Sequence, residues 1–221
     1  MRAIPNMTVL VPADGVEAEQ MILEAAKFNG PMYVRLGRSA VPTIFDENYK
    51  FQIGKGNVVR QGNDVSIIAC GIMVNEAILA HEALKSEGIN ARVINMSTIK
   101  PIDRELIINA AKETGAIVTA EEHSIIGGLG SAVSEVVSEE CPVVVKKVGV
   151  KDTFGESGTP AELLKSVLKK IPEPKRDSKT DMFAKQTSVM NKAARVPMLE
   201  IIKKTNDFLR NINAPQDEQE A

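Results

Sequence analysis

The sequence of 221 residues contains only two cysteines, Cys70 and Cys141, and both lie inside apolar segments. A disulfide framework is therefore excluded, and a reducing cytosol is the expected compartment. No apolar run approaches the roughly 18 residues that a membrane-spanning helix needs. The stretch from Met1 to Pro5 also lacks the apolar run of a secretory signal. The sequence thus predicts a cytoplasmic protein without a membrane segment.

The chain also lacks an excess of charge of either sign. Its 27 Lys and Arg residues nearly balance 29 Asp and Glu residues, which leaves a net charge of −2. Such a charge gives no global field that would attract nucleic acid or an anionic membrane, so neither is an expected partner. Hydrophobic residues make up 43% and charged residues 25% of the chain, as is typical of a globular protein with a sizeable core.

Predicted strands alternate with predicted helices up to Ile171. Helix starts carry capping signals, such as Asp14 with Glu17 three residues later, and Asp103. The pattern predicts helices at 15–28, 74–86, 104–113, 129–139 and 160–170, and strands at 7–12, 31–36, 65–70, 89–94, 116–120 and 143–148. Right-handed crossovers would place helices on both faces. We therefore expect a three-layer α/β fold with a mainly parallel sheet.

The character of the sequence changes after Ile171. A polar linker with two prolines runs from Pro172 to Lys179, and apolar residues then recur at helical spacing between Met198 and Ile212. An amphipathic segment of this kind docks on its own domain, stays partly disordered or binds a groove on a partner. The composition favours the first two outcomes.

The most distinctive stretch runs from Glu121 to Ser131, between a predicted strand and a predicted helix. Open α/β sheets bind ligands at the carboxyl ends of their strands, and small residues at a helix N-terminus leave amides free for an anion. The stretch has neither the Gly-x-Gly-x-x-Gly spacing nor the P-loop spacing. We therefore favour an interpretation in which the glycines allow close packing of helix on sheet, with anion binding as the alternative.

His123 lies in this stretch beside Glu122 and Ser124, where it could act as an acid or a base. Neighbours in sequence seldom converge on one atom, so a hydrogen bond that orders the loop is the favoured role. His81 has no plausible partner near it in sequence. Neither the histidines nor the cysteines show the spacing of metal ligands, so no metal site and no catalytic residue is predicted.

Two arginines follow the second predicted strand. Arg35 and Leu36 point to opposite faces, and Arg38 comes after Gly37, which lets the chain turn. An arginine at the carboxyl edge of a strand suits a phosphate or carboxylate, because its planar guanidinium donates two hydrogen bonds together. A solvated surface charge is an equally good interpretation from the residues alone.

Taken together, these motifs resemble the transketolase family. The stretches 2–17 and 31–38 are similar to the end of its pyrimidine-binding domain. Four further stretches resemble its C-terminal domain, namely Gly54-Lys55-Gly56, 95–103 with Lys100-Pro101, Glu121–Ser131 and Phe154–Gly158. The resemblance covers about residues 1–171 and is strongest to the split form, which is made as N- and C-terminal sections. It implies a remnant of the pyrimidine-binding domain at 1–45, a transketolase C-terminal domain at 46–171, and a linker with a helical tail at 172–221.

The resemblance implies transfer of a two-carbon ketol unit between sugar phosphates, with thiamine diphosphate and Mg as cofactors. Arg38 matches the arginine that helps to hold the substrate phosphate, whereas His123 matches a residue remote from the chemistry. The metal-binding Gly-Asp-Gly motif, the glutamate that acts on the cofactor's aminopyrimidine ring and the substrate-binding histidines have no counterparts here. We therefore expect the chain alone to bind no cofactor, and an N-terminal transketolase section to complete it in a dimeric assembly.

Three further expectations concern partners and packing. A strand–helix–strand remnant at 1–45 would leave unpaired sheet edges. The fold could instead be a stand-alone module that binds an anion or nucleotide at the loops after strands 65–70, 89–94 and 116–120. In a third interpretation it is a platform whose helical segment 198–212 recruits a partner.

Overall fold

The computed structural model describes residues 1–38, 40–155, 157–159 and 162–163. In chain order, these residues form β1 (Thr8–Leu10), α1 (Gly15–Lys27), β2 (Met32–Val34), β3 (Asn57–Arg60), β4 (Val65–Ala69), α2 (Met73–Ser86), β5 (Ala91–Asn95), β6 (Thr98–Lys100), α3 (Arg104–Thr114), β7 (Ala116–Ser124), α4 (Leu129–Glu140) and β8 (Val144–Val150). The polar linker, the segment 198–212 and most of the predicted helix 160–170 lie outside the described residues. Each helix described is too short or too polar to cross a membrane.

The larger of two sheets has the strand order β3-β5-β4-β7-β8. The strands β5, β4, β7 and β8 run parallel, whereas β3 pairs antiparallel with β5. The central strand β4 is buried along its whole length, as expected for an apolar run that is covered on both faces. The predicted mainly parallel sheet is thereby confirmed.

Helices cover both faces of this sheet. Val65, Ile67 and Ala69 of β4 belong to the apolar cluster beneath α2. The alternate residue Ile68 belongs to the cluster beneath α3 and α4, together with Ile107 of α3. Because successive side chains of a strand point to opposite faces, one strand supplies both cores. The three-layer architecture predicted from the sequence is confirmed.

A second, three-stranded sheet has the order β2-β1-β6. β1 pairs parallel with β2 on one side and antiparallel with β6 on the other. The strand β6 was not predicted, because Thr98–Lys100 is short and stands directly before Pro101. The expectation of unpaired edges is therefore wrong for β1, whose second edge is closed by β6. Within the described residues, the outer edge of β2 has no partner strand.

The helix α1 begins at a buried carboxylate that also binds a distant segment. Asp14 Oδ1 accepts a hydrogen bond from the Glu17 amide at 2.9 Å, as the capping signal predicts. Asp14 Oδ2 accepts from the amides of Ile44 and Phe45 at 2.7 and 2.9 Å. The Glu17 carboxylate reaches the Ala13 amide at 2.7 Å, one residue before the position that a capping box uses. Asp14 thus ties the connection after β2 to the start of α1.

Other element boundaries follow local signals closely, with one exception. Asp103 caps α3 by accepting from the Leu106 amide at 3.1 Å, and Gly115 ends that helix with a φ of 67°. The exception is β7, which continues past the predicted end at 120 as far as Ser124. The strand extends because its pairing with β8 resumes at Ser124 and Val150 after an irregularity.

Asp14→Ala should lower the free energy of unfolding by about 3 kcal/mol, since it removes a helix cap and leaves two further amides without their acceptor. Asp14→Asn should lower the free energy of unfolding by less, because an asparagine oxygen can still cap the helix. Urea denaturation measures both variants. Asp46→Ala is the matched control, since this exposed carboxylate accepts only a local bond from the Asn48 amide. A loss at Asp14 no larger than the loss at Asp46 would contradict the role assigned to Asp14.

Candidate functional site

The carboxyl edge of the larger sheet, where open α/β sheets bind ligands, is covered by the chain's own first segment. The Val11 amide donates to the Ser97 carbonyl at 2.8 Å, just after the end of β5. A Cβ added at Gly71, just after β4, would lie 3.1 Å from Val11 Cγ1. Ser97 and Cys70 are both buried at this edge. The crevice of the stand-alone binding module is thus filled after β4 and β5, and that interpretation is not favoured.

The amides at the N-terminus of α4 are also engaged from within the chain. The Glu121 carboxylate accepts hydrogen bonds from the Leu129 and Gly130 amides, both at 2.8 Å. Only 3% of Glu121 is exposed, and burial raises the pKa of its carboxyl while the two amides oppose that rise. An internal carboxyl group therefore occupies the helix terminus that the sequence offered for an external anion.

The glycines of this stretch are explained by packing. A Cβ at Gly128 would lie 1.9 Å from Glu121 Oε2, and one at Gly130 would lie 2.7 Å from Thr119 Oγ1. Gly127 has a φ of 75°, in the left-handed region where a side chain is strained. The interpretation in which the glycines bring helix and sheet into close contact is therefore the one that the geometry supports.

The two arginines after β2 have different environments. Arg35 Nη2 donates to the Glu122 carbonyl at 2.7 Å and lies 3.8 Å from Glu122 Oε2, so this side chain joins the end of β2 to the end of β7. Arg38 is exposed, and it forms no hydrogen bond or ion pair with any described residue. Of the two candidates, Arg35 has a structural contact, whereas the donors of Arg38 meet no acceptor among the described residues.

The histidines and cysteines do not assemble into a site. His123 is exposed, and its Nδ1 lies 3.3 Å from the Ser124 carbonyl. Ser124 Oγ accepts a hydrogen bond from the Ile126 amide rather than contacting an imidazole. His81 is buried with Nδ1 2.6 Å from the Ala91 carbonyl, a partner ten residues away that sequence reasoning missed. Burial raises the pKa of the Cys70 thiol, which disfavours the thiolate.

Sequence reasoning missed a buried polar cluster around Glu17, beyond its contact with Ala13. Glu17 Oε1 accepts from the Tyr49 hydroxyl at 2.5 Å and from Asn95 Nδ2 at 2.9 Å. Burial raises the pKa of the Glu17 carboxyl, although these donors oppose the rise. The cluster connects α1, the connection before β3 and the end of β5. Its members lie 32 and 78 residues from Glu17, so no local pattern could reveal them.

The described residues do not fit a divalent cation with a diphosphate. Among them, no three His, Cys, Asp or Glu side chains converge on a common point. The buried carboxylates of Asp14, Glu17 and Glu121 already accept hydrogen bonds through both oxygens. A cation that prefers carboxylate oxygens would have to displace these internal donors.

Two family models match the chain. The family model of the transketolase C-terminal domain matches residues 54–171, and the model of the transketolase pyrimidine-binding domain matches residues 1–43. The first match alone covers more than half of the chain. The chain therefore belongs to the transketolase family.

Similar proteins include subunits of split transketolases. The chain is 48% identical over 158 residues to the 6-deoxy-6-sulfo-D-fructose transketolase subunit SqwH of Clostridium sp. strain MSTE9, with 72% of this chain and 49% of the relative covered. It is 42% identical over 153 residues to an apulose-4-phosphate transketolase subunit of Phocaeicola vulgatus, with coverages of 69% and 49%. The chain thus spans about half the length of these curated relatives.

A solved structure shows the same fold. It is described as a split-gene transketolase in an inactive beta4 tetramer, and it superposes with a TM-score of 0.75 at 45% identity. The match covers 92% of this chain and 60% of that one. Fold and family are therefore established by sequence and structure together.

Glu121→Gln should lower the free energy of unfolding by about 2 kcal/mol, because the amide group of glutamine would face one of the two helix amides and leave it unsatisfied. The exposed neighbour Glu122 provides the matched control, since Glu122→Gln should cost less than about 0.5 kcal/mol. Urea denaturation distinguishes the two. Equal losses would show that Glu121 does not hold the start of α4.

The Glu17 carboxyl should make stability depend on pH in a defined direction. Its pKa is raised in the folded chain above the ordinary value of 4.5, so folding favours the protonated form and Glu17 contributes most below that value. The free energy of unfolding of the natural chain relative to Glu17→Gln should therefore fall as the pH rises from 4.5 through the raised pKa. Denaturation of both proteins at a series of pH values measures this difference. A difference that grows with pH would contradict the raised pKa.

Proposed function

We propose that the chain forms the C-terminal part of a thiamine-diphosphate-dependent transketolase, which transfers a two-carbon ketol unit between sugar phosphates. An N-terminal transketolase section would complete the enzyme in a dimeric assembly in the cytoplasm. Support comes from the two family domains and from relatives that are named as transketolase subunits. The platform interpretation depends on the segment 198–212, outside the described residues, and nothing described favours it.

Within that enzyme, Arg38 is proposed to bind the phosphate of the sugar substrate. The observation that supports this role is its exposed guanidinium, which has no partner in the described part of the chain, whereas Arg35 is already engaged by Glu122. The connection that carries Arg38 is held at both ends, by the Arg35 amide bonded to the Leu10 carbonyl and by Asp14 bonded to the Ile44 amide. A guanidinium anchored in this way offers two parallel donors to a phosphate.

Thiamine diphosphate and Mg are proposed to belong to the assembled enzyme, with their ligands on the N-terminal section. The residues described here do not fit the cation, so we derive no step of the reaction through the cofactor. This chain would supply the scaffold and the phosphate contact. We also propose the division into 1–45, 46–171 and 172–221, which is supported by the two family matches at 1–43 and 54–171.

Arg38→Ala should raise the KM for a phosphorylated sugar about 10- to 100-fold with little change in kcat, because a charge-assisted contact contributes roughly 1.5–3 kcal/mol to binding. The assay uses the chain reconstituted with an N-terminal transketolase section, and the chain without that section serves as the inactive blank. Arg38→Lys should recover part of the affinity, since it restores charge without the two-pronged geometry.

Two controls sharpen this experiment. Arg60→Ala removes another exposed arginine, which lies on β3 beside Glu82, and should leave KM unchanged. Replacement of Arg38 should leave the KM for an unphosphorylated acceptor sugar unchanged. Equal effects of Arg38→Ala on both acceptors would rule out the phosphate contact.

A further inference from the structure

Arg35 joins the two sheets of the molecule at the point where β2 ends. Its amide donates to the Leu10 carbonyl at 2.8 Å, and its Nη2 donates to the Glu122 carbonyl at 2.7 Å. The Glu122 carboxylate lies 3.8 Å from the same nitrogen. A hydrogen bond from a charged donor is stronger than one between neutral groups. Arg35 is therefore held by β1 through its backbone and by β7 through its side chain.

The acceptor on β7 is available because a neighbouring strand stops. The strand β4 pairs with β7 as far as Ala120, and the Cys70 amide then donates to the Ala120 carbonyl at 3.3 Å. The chain turns at Gly71, which has a φ of 60°. Residues two apart in a strand direct their carbonyl groups to the same side, so Glu122 presents its carbonyl where β4 has ended. Arg35 supplies the donor that a longer β4 would have supplied.

The charge of Arg35 acts at the same edge of the larger sheet. Burial, together with the Glu121 carboxylate, raises the pKa of the Cys70 thiol, whereas the nearby Arg35 guanidinium opposes that rise. Only 31% of the Arg35 side chain is exposed. The guanidinium therefore lies between the end of β2 and the carboxyl ends of β4 and β7 rather than in solvent.

The residues that follow Arg35 are not held in this way. Leu36 is 57% exposed, and Arg38 is exposed as well. Within residues 1–38 and 40–155, neither of them forms a hydrogen bond or an ion pair. The next described anchor along the chain is the Ile44 amide, which donates to Asp14. Arg35 is therefore the described anchor nearest to Arg38, three residues before it.

We propose that Arg35 is a positioning residue for Arg38: its bond to the Glu122 carbonyl fixes the direction in which the chain leaves β2 and so places the Arg38 guanidinium for the phosphate of a sugar substrate. The inference deepens the proposed function and rests on the phosphate contact proposed for Arg38. Arg35 acts through Arg38, since its own Nη2 is already bonded to the larger sheet. Without that bond, substrate binding would first have to order the connection, which costs affinity.

Arg35→Met removes the guanidinium and keeps an unbranched side chain. In the chain reconstituted with an N-terminal transketolase section, it should raise the KM for a phosphorylated sugar about 3- to 10-fold with little change in kcat, because one side chain has to be ordered on binding. The KM for an unphosphorylated acceptor should stay unchanged. Arg35→Lys should recover part of the affinity, since an ammonium group can still donate to the Glu122 carbonyl.

A double replacement separates positioning from direct contact. If Arg35 acts through Arg38, Arg35→Met should not raise the KM further in the Arg38→Ala background. Additive effects would show that Arg35 binds the phosphate itself, and they would overturn the positioning role. Arg104→Met is the matched control, because Arg104 joins two other elements, α3 and α4, by donating to Glu139 at 2.8 Å. This control should leave the KM unchanged.

NMR relaxation tests the same role without an assay of activity. In the full chain, Arg35→Met should lower the backbone order parameter of the Arg38 amide by about 0.2, which is the difference between a rigid and a flexible segment. The Ile44 amide is the reference and should change little, since it is held by Asp14. An unchanged order parameter at Arg38 would show that Arg35 does not position this residue.

The phosphate contact and the positioning role fail in different ways. If Arg38→Ala leaves the KM for a phosphorylated sugar unchanged, the phosphate contact is wrong, and the positioning role is wrong as well. If Arg38→Ala raises that KM and Arg35→Met does not, the positioning role alone is wrong.

Discussion

Two buried carboxylates at the start of α1 hold the molecule together across its two sheets. Asp14 and Glu17 accept six hydrogen bonds, from four backbone amides, the Tyr49 hydroxyl and Asn95 Nδ2. These donors belong to α1 and the residue before its cap, to the connection 44–49 and to the end of β5. Burial disfavours the charged form of Glu17, as its raised pKa shows. Each hydrogen bond nevertheless satisfies an amide or hydroxyl that would otherwise be buried without an acceptor. The first segment is therefore fixed against the larger sheet by polar contacts.

That fixation determines where chemistry can occur. With Val11 seated beside Gly71 and bonded to Ser97, the ordinary ligand crevice of an open α/β sheet is filled by the chain itself. At the N-terminus of α4, the Glu121 carboxyl group likewise occupies the position that an external ligand would need. Arg38 lies on a connection that Asp14 anchors from one end, and it bonds to none of the residues that the structure describes. Within the described residues, the larger sheet therefore has neither an open crevice after β4 and β5 nor a free helix terminus at α4.

The extent to which the sequence predicts this structure depends on how far apart the interacting residues are. Asp14, Asp103 and Gly115 allow the helix ends to be predicted, because each forms a hydrogen bond within four residues along the chain. The alternation of strands and helices is enough to predict the three-layer fold. The strand β6 escapes prediction because its partner β1 lies about 90 residues earlier. The sequence places Glu121 in a loop, although this residue lies in β7 and accepts a hydrogen bond from a helix amide eight residues later. Such contacts have no local signature.

The strand β2 lies at the edge of its sheet and shortly before the arginine that is proposed to bind a phosphate. Arg38 lies four residues after the last residue of β2, and the edge of β2 that faces away from β1 is the edge left open. A strand held on one side only frays more readily than one held on both, because fewer backbone bonds oppose its opening. Pairing of a further strand at this edge would therefore also restrict the connection that carries Arg38.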